Sequence, residues 1–152
     1  MYTLRVRIAV GADHAGYRLK ELLASHLREL GHEIEDCGTD SEESVDYPVY
    51  GKAVGEKVAS KDVDLGLCVC GTGIGISIAA NKVIGVRAAA VHDVTSARLA
   101  REHNNANVIC FGSRIIGPEV AKDALDRFLA SAFAGGRHER RIDEIAEMEI
   151  NR

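Results

Sequence analysis

Nothing in this chain of 152 residues suggests a membrane span, because no apolar run approaches the ~20 residues that a spanning helix needs. An excess of positive charge is also missing. The formal net charge is −4, the pI is near 5.9, and both signs are interspersed. That balance argues against a nucleic-acid footprint, a membrane-binding stripe or a charged disordered tail. Met1 to Val10 alternate charged and apolar positions too early and too briefly for a signal peptide. The four cysteines, Cys37, Cys68, Cys70 and Cys110, lack the paired C-x-x-C spacing of a zinc ribbon. Without an export signal they read as reduced thiols of a cytoplasmic protein. Repeats and linker-like stretches are absent too, so residues 1–152 read as one domain.

What is present is a regular alternation. Strands are expected at Leu4–Val10, Glu33–Cys37, Leu65–Val69, Val86–Val91 and Val108–Phe111. Helices are expected at Tyr17–Leu30, Val49–Ala59, Ile76–Lys82, Thr95–Glu102 and Glu119–Phe133, the last opened by Pro118. The first helix would bury Leu19, Leu22, Leu23, Leu27 and Leu30 on one face. Near-continuous apolar strands separated by helices imply a five-stranded parallel sheet covered on both faces, a three-layer α/β/α fold. A final helical segment, Arg137 to Arg152, follows Gly135-Gly136 and comes after the sheet is complete. Its apolar positions, Ile142, Ile145, Ala146 and Met148, are expected to extend to a partner subunit, with packing on its own domain as the alternative.

Chemistry concentrates where strands end. Cys70 heads a glycine-rich turn, Cys70-Gly-Thr-Gly-Ile-Gly75, that runs from an apolar strand into a helix. A helix start presents unpaired N–H groups and a positive dipole end, which favour a thiolate, so Cys70 is a candidate base or nucleophile. In an open parallel sheet the ligand crevice lies at the carboxyl ends of strands where the order reverses. If the second and third strands flank the first, two loops border that crevice. One is Gly11-Ala-Asp-His-Ala-Gly16, with Asp13 and His14; the other holds Cys70 and Thr72. The loops after the fourth and fifth strands would add His92, Asp93, Ser113 and Arg114. His103 closes a helix, where histidine and asparagine are also ordinary terminators. Arg137 and Arg141, four apart on one helical face, form a natural fork for phosphate.

These motifs occur in an order that resembles the ribose-5-phosphate isomerase B family, which includes the galactose-6-phosphate isomerase subunits. The resemblance rests on Gly11-Ala-Asp-His-Ala-Gly16, Asp46-Tyr47-Pro48, the Cys70–Lys82 segment, Arg101-Glu-His-Asn-Asn105, Phe111-Gly-Ser-Arg114 and Gly136-Arg-His138. It runs essentially end to end. It implies a five-stranded Rossmann-like sheet and an aldose–ketose isomerase of the pentose phosphate pathway that needs no metal or cofactor and works as a homodimer, or a dimer of dimers, with shared sites. Cys70, with Ser77 rather than an acid further on, is similar to the branch that uses cysteine as base. By resemblance His103 and Thr72 assist ring opening and Cys70 moves a proton between carbons 2 and 1. The backbone from Gly71 through Gly73 and Ile74 to Gly75 would hold the enediolate, and Asp13, Tyr47 and Asn104 the sugar. Arg114, Arg137, Arg141, His14 and His138 would hold the phosphate, with His103 and the tail arginines supplied by the second subunit.

Three rivals remain at this level. Gly71, Gly73 and Gly75 with Asp93 loosely suggest a dinucleotide fingerprint, but the last glycine falls one position early and the motif follows the third strand. His14, His92, His103 and His138 lack a compact metal-ligand spacing. A non-catalytic sugar-phosphate-binding protein leaves a thiol at a helix start unexplained. The sugar itself stays open among ribose 5-phosphate, allose 6-phosphate, galactose 6-phosphate and tetrose phosphates.

Overall fold

The computed structural model describes residues 4–151, so Arg152 of the expected tail segment lies outside the described residues. Eleven elements alternate along the described chain: β1 (Arg7–Ala12), α1 (Tyr17–Glu29), β2 (Glu33–Asp36), α2 (Tyr47–Ala59), β3 (Leu65–Cys70), α3 (Ile74–Asn81), β4 (Ala88–Ala90), α4 (Val94–Asn104), β5 (Val108–Gly112), α5 (Pro118–Ala130) and α6 (Arg137–Ile150). All strand pairings are parallel, in the order β2-β1-β3-β5-β4. β1 therefore has β2 on one side and β3 on the other, the reversal that opens a crevice at the carboxyl ends.

Period-two alternation divides each central strand between two cores. Ile8, Val10, Leu67, Val69, Ile109 and Phe111 face α1, α4 and α5. Ala9, Cys68, Cys70, Val108 and Cys110 face α2 and α3. The three-layer α/β/α architecture is the expected one.

Local departures have local causes. β1 starts at Arg7 rather than Leu4 because side chains take the neighbouring backbone donors: His32 Nδ1 accepts from the Val6 N–H at 3.1 Å and Asp64 Oδ2 from the Arg7 N–H at 2.8 Å. β4 shrinks to three residues because the Asn81 amide brackets the Ala88 N–H and C=O, and Asn107 Oδ1 takes the Arg87 N–H. α3 begins at Ile74, not Ile76, because Thr72 Oγ1 accepts the Ile74 N–H at 3.2 Å. α4 begins at Val94 behind a reciprocal Asp93–Ser96 capping box, which gives Asp93 a helix-starting role. The α4 terminator is Asn105, in the left-handed conformation at φ 45°.

The buried face of α1 is Leu19, Lys20, Leu23, Ala24 and Leu27. Leu22 and Leu30, expected there, are 36% and 54% exposed. α6 buries no residue. It is held through the Ala134 N–H to the Glu102 carbonyl, through Glu149 Oε2 to the Gly85 N–H, and through a ring stack described below. Ile145 and Met148 border a cavity of about 480 Å³ against Arg87, Ala88 and Asn104. No helix among the described residues is long and apolar enough to cross a membrane.

Candidate active site

Three loops at the carboxyl ends of β1, β3 and β5 are stitched together by their own backbones. The Ser113 N–H donates to the Cys70 carbonyl and the Arg114 N–H to the Gly71 carbonyl, both at 2.9 Å. The Ser113 hydroxyl reaches the Ala15 carbonyl at 2.8 Å, and the Asp13 N–H donates to the Val69 carbonyl at 3.3 Å. Such close approach needs glycine at two places. A Cβ on Gly16 would lie 2.3 Å from the Val69 oxygen. A Cβ on Gly73 would lie 2.8 Å from the Phe111 carbonyl carbon, and Gly73 also has φ +76°.

Cys70 is the last residue of β3 and only 4% exposed. Its sulfur accepts the Gly73 N–H at 3.2 Å, the kind of donor that stabilises charge on sulfur. Two other thiols have different surroundings. Burial pushes the Cys37 thiol up to about 11, with the Glu35 carboxylate acting in the same direction. A hydrogen bond with Cys68, together with full burial, raises Cys110 well above its ordinary value.

Around Cys70 stand the other expected residues of this end. Asp13 is buried, with Oδ1 accepting the Gly16 N–H at 3.0 Å. The Nδ1 atom of His14 lies 3.1 Å from both the N–H and the C=O of Val45, which fixes the ring and leaves Nε2 as its free nitrogen. Thr72 is exposed; because its oxygen accepts from Ile74, its own proton is available to donate. The Arg114 guanidinium lies against Gly71, where a Cβ would come within 3.2 Å of Nη1. The Tyr47 ring lies against Gly75, where a Cβ would come within 2.6 Å of Cζ. Of the loop N–H groups expected to hold an enediolate, those of Gly73 and Ile74 already have acceptors. Helix geometry leaves Gly75 and Ile76 in the first turn of α3 without intrahelical acceptors.

The remaining expected residues sit elsewhere. α4 starts beside the carboxyl end of β4 and runs back to feed the amino end of β5, so His103 and Asn104 lie at the amino-end edge of the sheet. The His138 ring stacks on His103 with centroids 4.2 Å apart and 14° between planes. Loss of solvation, then the nearby His103, Arg137 and Arg141, lowers the His138 pKa from its ordinary value. Arg137 and Arg141 are exposed and form no ion pair among the described residues. The site candidates thus form two groups at opposite ends of one chain's sheet. Sequence reasoning named Ser113 but not its clasp on the Ala15 carbonyl, and it missed two supports of the first group, the Val45 backbone and Lys20. Of these, only Lys20 left a sequence signal, a lysine in the i, i+3, i+7 row with Leu23 and Leu27.

Residues 8–145 match the family model described as Ribose/Galactose Isomerase. The chain belongs to that family. It is 47% identical over 146 residues to ribose-5-phosphate isomerase B of Escherichia coli, covering 96% of this chain and 98% of the relative. The ribose-5-phosphate isomerase B structure from Clostridium thermocellum superposes with a TM-score of 0.95 at 48% identity, covering 95% and 98% of the two chains. The enzyme from Mycoplasma genitalium, whose structure holds bound ribulose-5-phosphate, superposes with a TM-score of 0.92 at 41% identity, covering 96% and 97%. The present chain is accordingly an aldose–ketose isomerase of this family.

Proposed function

We propose that this isomerase interconverts ribose 5-phosphate and ribulose 5-phosphate, with Cys70 as the base that carries the proton between carbons. The observation that carries the reading is the setting of Cys70: a buried sulfur at a strand end, held by the Gly73 N–H and bordered by the Asp13, His14, Thr72 and Arg114 loops. The ribulose-5-phosphate bound to the Mycoplasma genitalium relative supports the choice of sugar.

The chemistry runs in three steps. Ring opening moves a proton from the C1 hydroxyl to the ring oxygen, with His103 exchanging the proton and Thr72 donating a hydrogen bond. The Cys70 thiolate then removes the carbon-2 proton, and the electron pair flows into the C1 carbonyl to give an enediolate. The C2 hydroxyl proton passes to the C1 oxygen as the C2 carbonyl forms, and return of the abstracted proton from Cys70 to carbon 1 completes the ketose and regenerates the thiolate. First-turn N–H groups of α3, beginning at Gly75, would stabilise the enediolate oxygen, each donor worth roughly 3 kcal/mol of barrier where such groups have been removed from other enzymes. Asp13 and Tyr47 would hold sugar hydroxyls with Asn104, while Arg114, Arg137, Arg141, His14 and His138 would hold the phosphate.

His103 cannot join Cys70 within one chain, because β3 alone spans six residues, about 20 Å of sheet, between the two ends. The reading therefore requires a homodimer in which each amino-end cluster completes its partner's carboxyl-end site. A panel of phosphorylated aldoses and ketoses, assayed without added metal, tests the substrate. Cys70→Ser should retain the fold by circular dichroism and lose roughly 10²–10⁴-fold in kcat, since a hydroxyl is a much weaker base. A fully active Cys70→Ser enzyme overturns the assignment.

A further inference from the structure

Lys20 is among the largest fully buried side chains of the described residues, at 0% exposure, yet it plays no part in the mechanism above. A buried ammonium is tolerated only where acceptors surround it. Here Nζ donates to the Thr39 carbonyl at 2.8 Å, to Glu21 Oε1 at 2.9 Å, and to both Asp36 oxygens at 3.0 and 3.1 Å. Those bonds fasten α1 to the segment that leaves β2. The same segment then pairs with the end of β1 immediately before Asp13: the Ala12 N–H donates to the Gly38 carbonyl at 2.7 Å and the Thr39 N–H to the Ala12 carbonyl at 2.8 Å. Asp36 Oδ1 also accepts the Gly38 N–H at 2.9 Å. Further along, this segment supplies Val45, which brackets the His14 ring, and then Tyr47, which lies against Gly75.

We infer that Lys20 is a positioning residue for the sugar-phosphate end of the site. Through Asp36 and Thr39 it holds the 36–46 segment in the register that places Asp13, His14 and Tyr47. Two features separate this role from general packing. The Lys20 partners include the carbonyl of Thr39, whose own N–H bonds to Ala12 immediately before Asp13, rather than hydrophobic neighbours alone. The ligands it would position contact substrate and not the reacting carbon, so its loss should appear in KM before kcat.

The inference rests on the site reading above, and one experiment separates the two. Steady-state constants for ribose 5-phosphate are measured for the full-length wild type, His14→Ala, Lys20→Met and Asp36→Ala, well below each variant's Tm. Asp36→Ala leaves the buried Lys20 ammonium with Glu21 and the Thr39 carbonyl as acceptors, so it keeps the test alive if Lys20→Met does not fold. Lys20→Met and Asp36→Ala should each raise KM roughly ten-fold with kcat changed less than about three-fold, and the double variant should match the worse single one, as expected for one unit. If His14→Ala leaves KM unchanged, the site reading fails. If His14→Ala raises KM while Asp36→Ala, and Lys20→Met where it folds, leave KM at the wild-type value, the positioning role is refuted; a fall in Tm with unchanged KM marks Lys20 as packing only.

Discussion

Mixing two inactive variants is the most direct consequence of the divided site. Cys70→Ala removes the proposed base at the carboxyl end of the sheet, and Arg137→Ala/Arg141→Ala removes the cations of the amino-end cluster. Within one chain these lesions are separated by the length of β3, about 20 Å, well beyond the span of a pentose phosphate. If each site takes its base from one chain and its arginines from the other, a mixed dimer holds one site with both lesions and one with neither. Co-refolding equal amounts gives about half mixed dimers by random pairing, so about a quarter of wild-type turnover should return. Each variant refolded alone stays near its residual level, at least roughly a hundred-fold lower for the Cys70 variant. The assay is ribulose 5-phosphate formation, with one variant carrying an affinity tag so that mixed dimers can be isolated. If each chain completes its own site, every site of a mixed dimer carries one lesion. Isolated mixed dimers without activity therefore refute the shared site.

Two further outcomes follow from the thiols and from His32. Iodoacetamide at pH 8 should leave Cys37 largely unmodified although it is the most exposed cysteine, because a thiol pushed up to about 11 is only ~0.1% thiolate there; peptide mass spectrometry should place the inactivating adduct on Cys70, and rapid labelling of Cys37 contradicts this. Burial lowers the His32 pKa below the ordinary 6.5, with Asp126 opposing, and Nε2 is buried without a partner. The unfolded chain then binds this proton more readily than the folded one, so the full stability is present above about pH 6.5 and declines as pH falls through and below it. His32→Gln should flatten urea-denaturation stability between pH 7 and 5 relative to wild type; an unchanged slope removes His32 as the cause.

The sheet was legible because its central strands β1, β3 and β5 are apolar runs separated by helical periodicity, and that pattern leaves few other folds. The edges were not. The start of β1 and the shortness of β4 are set by His32, Asp64, Asn81 and Asn107, polar side chains distant in sequence that take backbone bonds from the ladder. The start of α3 moved by two residues for a local reason, the Thr72 hydroxyl, which the sequence displays but does not aim. The first group of site residues could be read from loops between strands and helices, since topology alone brings them to one edge. The two-ended arrangement came from the direction of α4, which is implied by parallel topology once the strand order is known. Lys20 was hidden because a lysine beside Leu19 reads as the edge of an apolar face, and only the packing of β2 and its following segment turns it inward.

Cys68 and Cys70 test how far residue type can carry a functional reading. They are two apart on one strand and share a face, so composition and periodicity treat them alike. Cys68 lies mid-strand, opposite Gly11 on β1 and Cys110 on β5, a free thiol buried beside that of Cys110. Every atom around it belongs to the core, where a charged sulfur would be unsolvated. One pleat later the sheet ends: Cys70 is followed by a turn whose Gly73 folds back in a left-handed conformation and aims its N–H at the sulfur. The same side chain thereby passes from a small hydrophobe to a candidate base, because the backbone stops supplying ladder partners and begins supplying free donors. The glycines of that turn matter as much as the thiol, since a Cβ at Gly73 would strike Phe111 and displace the donor. Function here is a property of where the strand stops.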